Sequence, residues 1–145
     1  MDVNNIVSRL VRKYSTRNPY DIAECLGIKV LYEELGDING YYNKPLRMKQ
    51  IHINWNLDDP MKRFTCAHEL GHAIIHPDVN TPFLRRHTGL NINKYEIEAN
   101  NFAACLLIPD EVILENYHYT TDQLARLLGY EKALIELRLK SYREI

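Results

Sequence analysis

Three histidines lie one helical turn apart in the segment FTCAHELGHAIIH, and a glutamate follows the first of them. His68 and His72 are four residues apart, so on a helix both imidazoles lie on one face and can reach one metal ion. Imidazole is a good zinc ligand, Glu69 is held close to the same ion, and Gly71 leaves room beside it. A carboxylate at that place can take a proton from water that the metal activates. The segment therefore predicts the centre of an H-E-x-x-H zinc hydrolase.

This helix supplies only two ligands, so a third must come from elsewhere. The metzincin pattern needs glycine and histidine at two later positions, where the chain has Ile75 and Asp78. His76 lies one further turn along, about 80° around the helix axis from His68, so a straight helix does not easily present it to the same ion. We interpret His76 as a helix-end histidine that interacts favourably with the C-terminal dipole.

The segment KYEIEANNFAACLL predicts a second long helix, which carries the better candidates for the third ligand. Glu96 and Asn100 are four residues apart on one face, a pattern that resembles the glutamate zincins. There, a second helix presents a carboxylate to the metal, and a polar side chain one turn on orients a ligand histidine. Glu98 is about 200° around the helix from Glu96, so both cannot face the metal, and Glu98 remains the alternative ligand. A third interpretation makes Glu96 the glutamate of a capping box that begins at Asn93.

Periodicity and capping signals predict the elements that must position these residues. Two amphipathic helices begin the chain, and the second has Asn18 as its N-cap and Pro19 as its first residue. The HELGH helix has Asp59 as its predicted cap and a stop at Pro77. The predicted parts are strands within about 28–54, catalytic helices over about 59–76 and 93–108, and C-terminal helices over about 111–142. They indicate one α+β metallopeptidase domain over residues 1–145, with a sheet of about three strands, antiparallel or mixed, packed against zincin-like helices.

Length, composition and charge exclude several classes of protein. A chain of 145 residues with 46% hydrophobic and 26% charged residues suits one ordinary globular domain. A formal charge of −1 provides no bulk attraction to nucleic acid or to anionic membranes. The chain has no apolar run near the roughly 20 residues of a membrane span and no signal peptide at its N-terminus. Three cysteines without a C-x-x-C pair suit buried thiols, so we expect a cytoplasmic protein.

Peptide hydrolysis also needs a hydrogen-bond donor for the developing oxyanion, and a way to hold the substrate. Residues 78–92 are polar and irregular and predict a loop long enough to be functional. An extended substrate could add to an exposed strand of the sheet. The candidate oxyanion donors are Tyr41, Tyr42, His87, Tyr95 and Tyr117.

The segment CAHELGHAIIH, followed by YEIEANNFAACLLIP, is similar to the joined motifs of the ImmA/IrrE family of zinc metallopeptidases. The stretch NPYDIAECLGIKV and the later GYY and IHIN strands resemble the N-terminal layout of that family. The resemblance covers residues from about 18 to 140. Cys105 and Ile108 depart from the pattern, because acidic or polar residues and methionine are frequent there, but this affects packing rather than chemistry.

The resemblance implies a set of roles for this chain. His68, His72 and Glu96 would bind one zinc ion, Glu69 would be the catalytic base, and Asn100 would stand at the position that orients a ligand. Members of the family cut helix-turn-helix repressors, often those of prophages or mobile elements, and so relieve repression. The chain is too short for the extra sensor domain of some members and resembles the compact type.

Two other functions compete with proteolysis. The segment TTDQLARLLGYEKALIELRLKSY predicts two helices around Gly129 and resembles the start of a helix-turn-helix, so a DNA-binding regulator is one alternative. Residues 119–145 carry only five Lys/Arg against four Asp/Glu, a weak phosphate footprint, and we expect no nucleic-acid partner. The other alternative is a zinc-binding anti-repressor that sequesters its repressor.

Overall fold

A computed structural model describes residues 2–82 and 92–143, apart from the side chains of residues 92 and 93. Within those ranges the fold is α+β, as predicted: a small sheet with helices against it and a helical C-terminal part. None of these helices is both long and apolar enough to cross a membrane. The helices are α1 (Val3–Tyr14), α2 (Pro19–Cys25), α3 (Asp59–Ile75), α4 (Ile92–Leu107), α5 (Asp110–Glu115), α6 (Thr121–Leu128) and α7 (Lys132–Arg143). The strands are β1 (Lys29–Glu33), β2 (Gly40–Asn43) and β3 (Gln50–Asn54).

Side-chain caps begin the helices that lead to the site. The carboxamide of Asn18 accepts a hydrogen bond from the backbone N–H of Tyr20 at 2.9 Å, as its predicted role requires. The predicted cap of α3 is wrong by one residue: Asp58, not Asp59, accepts from the backbone N–H of Met61 at 2.9 Å. Proline fits either of the first two helical positions, because the first-turn N–H groups have no partner within the helix.

The sheet is mixed, one of the two predicted forms, with the strand order β1-β3-β2. β3 pairs antiparallel with β2, from Gly40 opposite Ile53, and parallel with β1, from Lys29 opposite Gln50. The central strand buries Ile51 and Ile53 completely against the helices. The sheet thus packs against α3 and supports it.

The opposite face of the sheet holds a separate polar group around His52. Its Nε2 lies 3.0 Å from Oδ1 of Asn43, and its Nδ1 contacts the carboxylate of Glu33. The Tyr41 ring stacks on the imidazole with their centroids 4.2 Å apart. Because successive side chains of a strand point to opposite faces, Tyr41 lies on the side of the sheet away from Ile51 and Ile53.

Two apolar clusters meet along α4. One joins the sheet, α3 and the two N-terminal helices, and it includes Phe102 and Ala103. The other joins the end of α4 to the C-terminal helices and includes Ala104 and Ile108. Since consecutive residues of α4 belong to different clusters, this helix is fixed from two sides. The buried apolar residues of the second cluster are Ala104, Ile108, Ile113, Leu124, Leu134 and Ile135.

The three cysteines differ in their surroundings. Cys66 is buried, and this burial raises the pKa of its thiol to about 12, so it stays protonated at neutral pH. Cys105 is partly buried, with its Sγ 3.1 Å from Oδ1 of Asn4. The prediction of a buried thiol is wrong for Cys25, which lies exposed at the end of α2.

The helix-turn-helix-like segment uses its second helix for packing. α6 begins with a capping box between Thr120 and Gln123 and ends at Gly129. The φ of this glycine is 81°, a left-handed value that residues with a side chain rarely adopt. The guanidinium of Arg138, on α7, is buried and donates to the carbonyl oxygen of Ile108 at 2.6 Å. It also pairs with Asp110. One side of α7, with Leu134, Ile135 and Arg138, is therefore buried in the protein.

A glycine at the start of β2 lets this strand approach α3. A Cβ atom on Gly40 would lie 2.5 Å from the carbonyl oxygen of His52 and 2.5 Å from Cγ2 of Thr65. We expect Gly40→Ala to lower the free energy of unfolding by about 1–3 kcal/mol, measured by urea denaturation, because a backbone atom must move. Met48→Ala, at an exposed site, is the control. Wild-type stability in Gly40→Ala would contradict this close contact.

Candidate metal centre

The second half of α3 presents the H-E-x-x-H residues in a buried environment. His72 and Glu69 are almost completely buried, and His68 is 7% exposed. The two imidazoles stand one turn apart, edge to face, with ring centroids at 4.8 Å. Their four-residue spacing on a regular helix thus places both Nε2 atoms on one side of α3, as the sequence predicted.

Helix α4 brings the carboxylate of Glu96 to both imidazoles. Its Oε2 lies 3.0 Å from Nε2 of His68, and its Oε1 lies 3.1 Å from Nε2 of His72. One donor atom from each of the three residues lies within 4.8 Å of the others. Two imidazoles and one carboxylate form a His₂Glu set, which is a catalytic zinc donor set. The three residues therefore fit a divalent metal ion.

The structure disfavours both alternatives for the third ligand, which were a capping-box role for Glu96 and metal binding by Glu98. α4 begins at Ile92, so Asn93 lies within the helix, although its side chain is outside the part of the chain that the structure describes. The carboxylate of Glu96 points to α3 rather than to its own N-terminus. Glu98 contacts His76 instead of the pair of imidazoles.

Close packing of α3 on α4 makes this meeting possible. A Cβ atom on Gly71 would lie 3.1 Å from both Cβ and Cδ1 of Phe102. Gly71 thus provides space for the neighbouring helix. That it also leaves room beside a metal stays a prediction. The absent side chain allows α4 to approach α3 at the turn between the two histidines.

The charge state of Glu96 suits a metal ligand. Burial alone raises the pKa of this carboxyl, but hydrogen bonds and charge interactions with His68 and His72 outweigh burial and hold the pKa well below its ordinary value. The group is therefore ionised at neutral pH. An ionised carboxylate is the form that coordinates a cation.

Two of the three donors, His68 and Glu96, line an open cleft of about 420 Å³, and His72 lies buried behind them. Glu69 lies in its wall, with Oε2 3.9 Å from Nε2 of His68. Asn100 lies one turn after Glu96 and also lines the cleft. A smaller cavity of about 150 Å³ adjoins it and shares Phe64 and Asn100 as walls. A substrate can thus approach the donor set and Glu69 from the same side.

His76 lies at the end of α3, as predicted, where it is the C-cap residue. The ring is 7% exposed, and its Nδ1 lies 3.1 Å from Nδ1 of His72. Its Nε2 lies 3.0 Å from Oε1 of Glu98, and Tyr95 packs edge-on at 4.5 Å. Burial lowers the pKa of His76 more than the hydrogen bond to Glu98 raises it, so the ring is neutral rather than a surface cation.

The predicted oxyanion donors are dispersed in the structure. The hydroxyl of Tyr42 donates to the carbonyl oxygen of Pro77 at 2.7 Å, and Tyr41 lies on the far face of the sheet. Tyr117 is 83% exposed after α5. His87 lies outside the described residues, as does most of the predicted loop over 78–92.

The outer edge of β2 is partly occupied by the chain itself. The hydroxyl of Thr81 accepts from the backbone N–H of Tyr42 at 2.7 Å and lies 3.3 Å from the carbonyl oxygen of the same residue. The carboxamide of Asn80 accepts from the N–H of Lys44 at 3.2 Å. Strand addition by a substrate at Tyr42 would have to displace Thr81, whereas Gly40 borders the cleft directly.

Comparisons with known proteins show what the chain is similar to. The model of the IrrE N-terminal-like domain, a peptidase family, matches residues 23–140. The chain is 43% identical to "Uncharacterized immunity region protein 2" of Bacillus phage phi105, over 91% of this chain and 85% of that protein. It is 31% identical to "Metallopeptidase ImmA" of Bacillus subtilis strain 168, over 81% of this chain and 69% of that protein.

A solved structure shares the fold. A Mycobacterium tuberculosis transcriptional regulator superposes on 95% of this chain with a TM-score of 0.66 and 19% sequence identity. The matched region is 46% of that longer protein, so the likeness concerns the fold of one part of it. The family match and the two relatives together show that the chain belongs to the ImmA/IrrE family of metallopeptidases.

Proposed function

We propose that this protein is a zinc-dependent endopeptidase with one zinc ion held by His68, His72 and Glu96. The observation that carries the proposal is the meeting of these three donors at an open cleft that His68, Glu96 and Glu69 line. Membership of a metallopeptidase family implies a divalent metal and a protein substrate. We further propose that residues 1–145 act as one peptidase domain in the cytoplasm.

In this proposal Glu69 is the general base. A bound zinc ion supplies Lewis acidity, which polarises the substrate carbonyl and lowers the pKa of water. The carboxylate of Glu69 takes a proton from the attacking water and then gives it to the leaving amide nitrogen. Burial of Glu69 in the cleft wall limits the positions that its carboxylate can adopt and so keeps it near the attacked carbonyl. Asn100, further along the same wall, is available to contact the substrate.

We propose a helix-turn-helix repressor as the substrate, so that cleavage relieves repression. The proposal is supported by the family resemblance and by the relative named as an immunity region protein of a phage. The cleft is bordered by the start of β2 and by α3 and α4. Because an extended segment can add to a strand, we expect such a repressor to present one at the start of β2.

Incubation of the zinc-loaded protein with the repressor encoded beside its gene tests this function. Fragments are mapped by mass, with a chelator and the Glu69→Gln variant as controls. We expect two fragments from cleavage at one accessible segment, formed only by the loaded wild type. An intact repressor that forms a stable complex with the protein would favour sequestration instead.

DNA binding is the remaining alternative, and the ion pairs of the C-terminal helices disfavour it. Lys132 pairs with Asp122 at 3.3 Å and lies 4.0 Å from Glu136. Arg138 is buried against Asp110. Two of the five Lys/Arg residues of this segment thus have acidic partners, which weakens the positive charge available to phosphates.

A further inference from the structure

Two polar side chains, those of His76 and Glu98, form a line of hydrogen-bonding groups that leads from His72 of the candidate metal centre into the protein. Nδ1 of His72 lies 3.1 Å from Nδ1 of His76, and Nε2 of His76 lies 3.0 Å from Oε1 of Glu98. All three groups are buried or nearly so: the side chains of His76 and Glu98 are 5% and 15% exposed, and that of His72 is fully buried. The line therefore runs from the centre to a carboxylate on α4 within the protein.

Donor and acceptor rules allow one arrangement of protons along this line when a metal is present. A metal at the centre takes the Nε2 lone pair of His72, so the Nδ1 of a neutral His72 must carry the proton. That N–H needs an acceptor, so Nδ1 of His76 must be unprotonated. The proton of a neutral His76 is then on Nε2, where the carboxylate of Glu98 accepts it.

We propose that His76 and Glu98 are positioning residues that fix the ring orientation and tautomer of His72 for metal binding. This inference rests on the proposed metal site and adds two residues to it. A carboxylate that acts through an imidazole makes the bound nitrogen of the ligand a better electron donor. The arrangement differs from the common pattern, in which the carboxylate contacts the ligand histidine directly.

The geometry also explains why α4 carries two acidic residues so close together. Glu96 contacts the Nε2 atoms of the two proposed ligand histidines, whereas Glu98 contacts His76 at the end of α3. Tyr95 packs against the edge of the His76 ring at 4.5 Å and limits its rotation. One turn of α4 thus provides a candidate ligand and the support for another.

Two variants separate this role from simple packing. His76→Phe keeps a ring of similar shape beside Tyr95 but removes both hydrogen bonds. Glu98→Gln keeps an acceptor for His76 but removes the charge. We expect zinc affinity, measured by chelator competition, to fall about 10–100-fold for His76→Phe and less for Glu98→Gln. His118→Phe, the same change at an exposed site, is the control and should bind zinc like the wild type.

Nitrogen-15 NMR of the zinc-loaded wild type tests the tautomers without any substitution. We expect ring nitrogen shifts that place the proton of His72 on Nδ1 and that of His76 on Nε2. Unchanged zinc affinity in His76→Phe, or a proton on Nδ1 of His76, would overturn the proposal. A lower melting temperature of the metal-free variants with normal zinc affinity would also overturn it, because that result indicates packing alone.

These results are independent of proteolysis. Zinc affinity and ring tautomers can be measured whether or not any repressor is cleaved. If the wild type does not bind zinc, the metal site itself fails, and the positioning role fails with it. If zinc binds and the tautomers agree but no substrate is cut, only the proposed peptidase function is contradicted.

Discussion

Replacing Glu69 with glutamine is expected to reduce peptide cleavage by about 10²–10⁴-fold while leaving zinc affinity close to that of the wild type. Glutamine has nearly the same shape, so it fits the buried position in the cleft wall. Its amide cannot accept the proton from water, which removes the general base. The measurement is the initial rate of fragment formation from a fixed concentration of the repressor, at saturating zinc.

Zinc affinity of the same preparation, measured by chelator competition, shows that the centre is intact. Glu24→Gln, at an exposed position on α2, is the matched control and should cleave normally. Full activity of Glu69→Gln would contradict the assignment of this residue as the base.

Replacing Glu96 with glutamine is expected to weaken zinc binding by more than about 100-fold, beyond the range typical of residues that only support a ligand. The amide is a poorer metal ligand than the ionised carboxylate that now lies 3.0 Å and 3.1 Å from the two imidazole Nε2 atoms. Thermal unfolding provides a second measurement. Zinc at 100 times its Kd stabilises the folded wild type by about 2.7 kcal/mol, and the variant should lose most of this at the same concentration.

Glu98→Gln is the informative comparison, because both glutamates lie on the same turn of α4. We expect a larger loss of zinc affinity for Glu96→Gln than for Glu98→Gln. The reverse order would make Glu98 the third ligand. Glu115→Gln, at an exposed position on α5, should have no effect on zinc affinity.

Local sequence patterns predict most of the site residues on α3 and α4. The four-residue spacing of His68 and His72 fixes their common face once the helix forms, because a regular turn leaves no other geometry. The third donor could also be anticipated, because Glu96 and Asn100 lie four residues apart on one face of a predicted helix, a pattern that resembles the glutamate zincins. Each of these predictions uses the spacing of residues along a single helix.

The contacts that sequence reasoning missed depend on how two elements meet. The rotation of α4 about its axis determines that Glu98 reaches His76, and this rotation follows from the packing of Phe102 on Gly71. The spacing of His72 and His76 was a usable signal, because residues four apart on a helix are neighbours. The parallel pairing of β1 with β3 could not be assigned from the sequence, because periodicity does not specify the partner of a strand.

The most direct test of the metal centre is an anomalous diffraction map of crystals that contain zinc. We expect one strong zinc peak in contact with Nε2 of His68, Nε2 of His72 and a carboxylate oxygen of Glu96, with one side open to the cleft. A peak at His76 and Glu98 instead, or zinc only at surface sites, would contradict this metal centre.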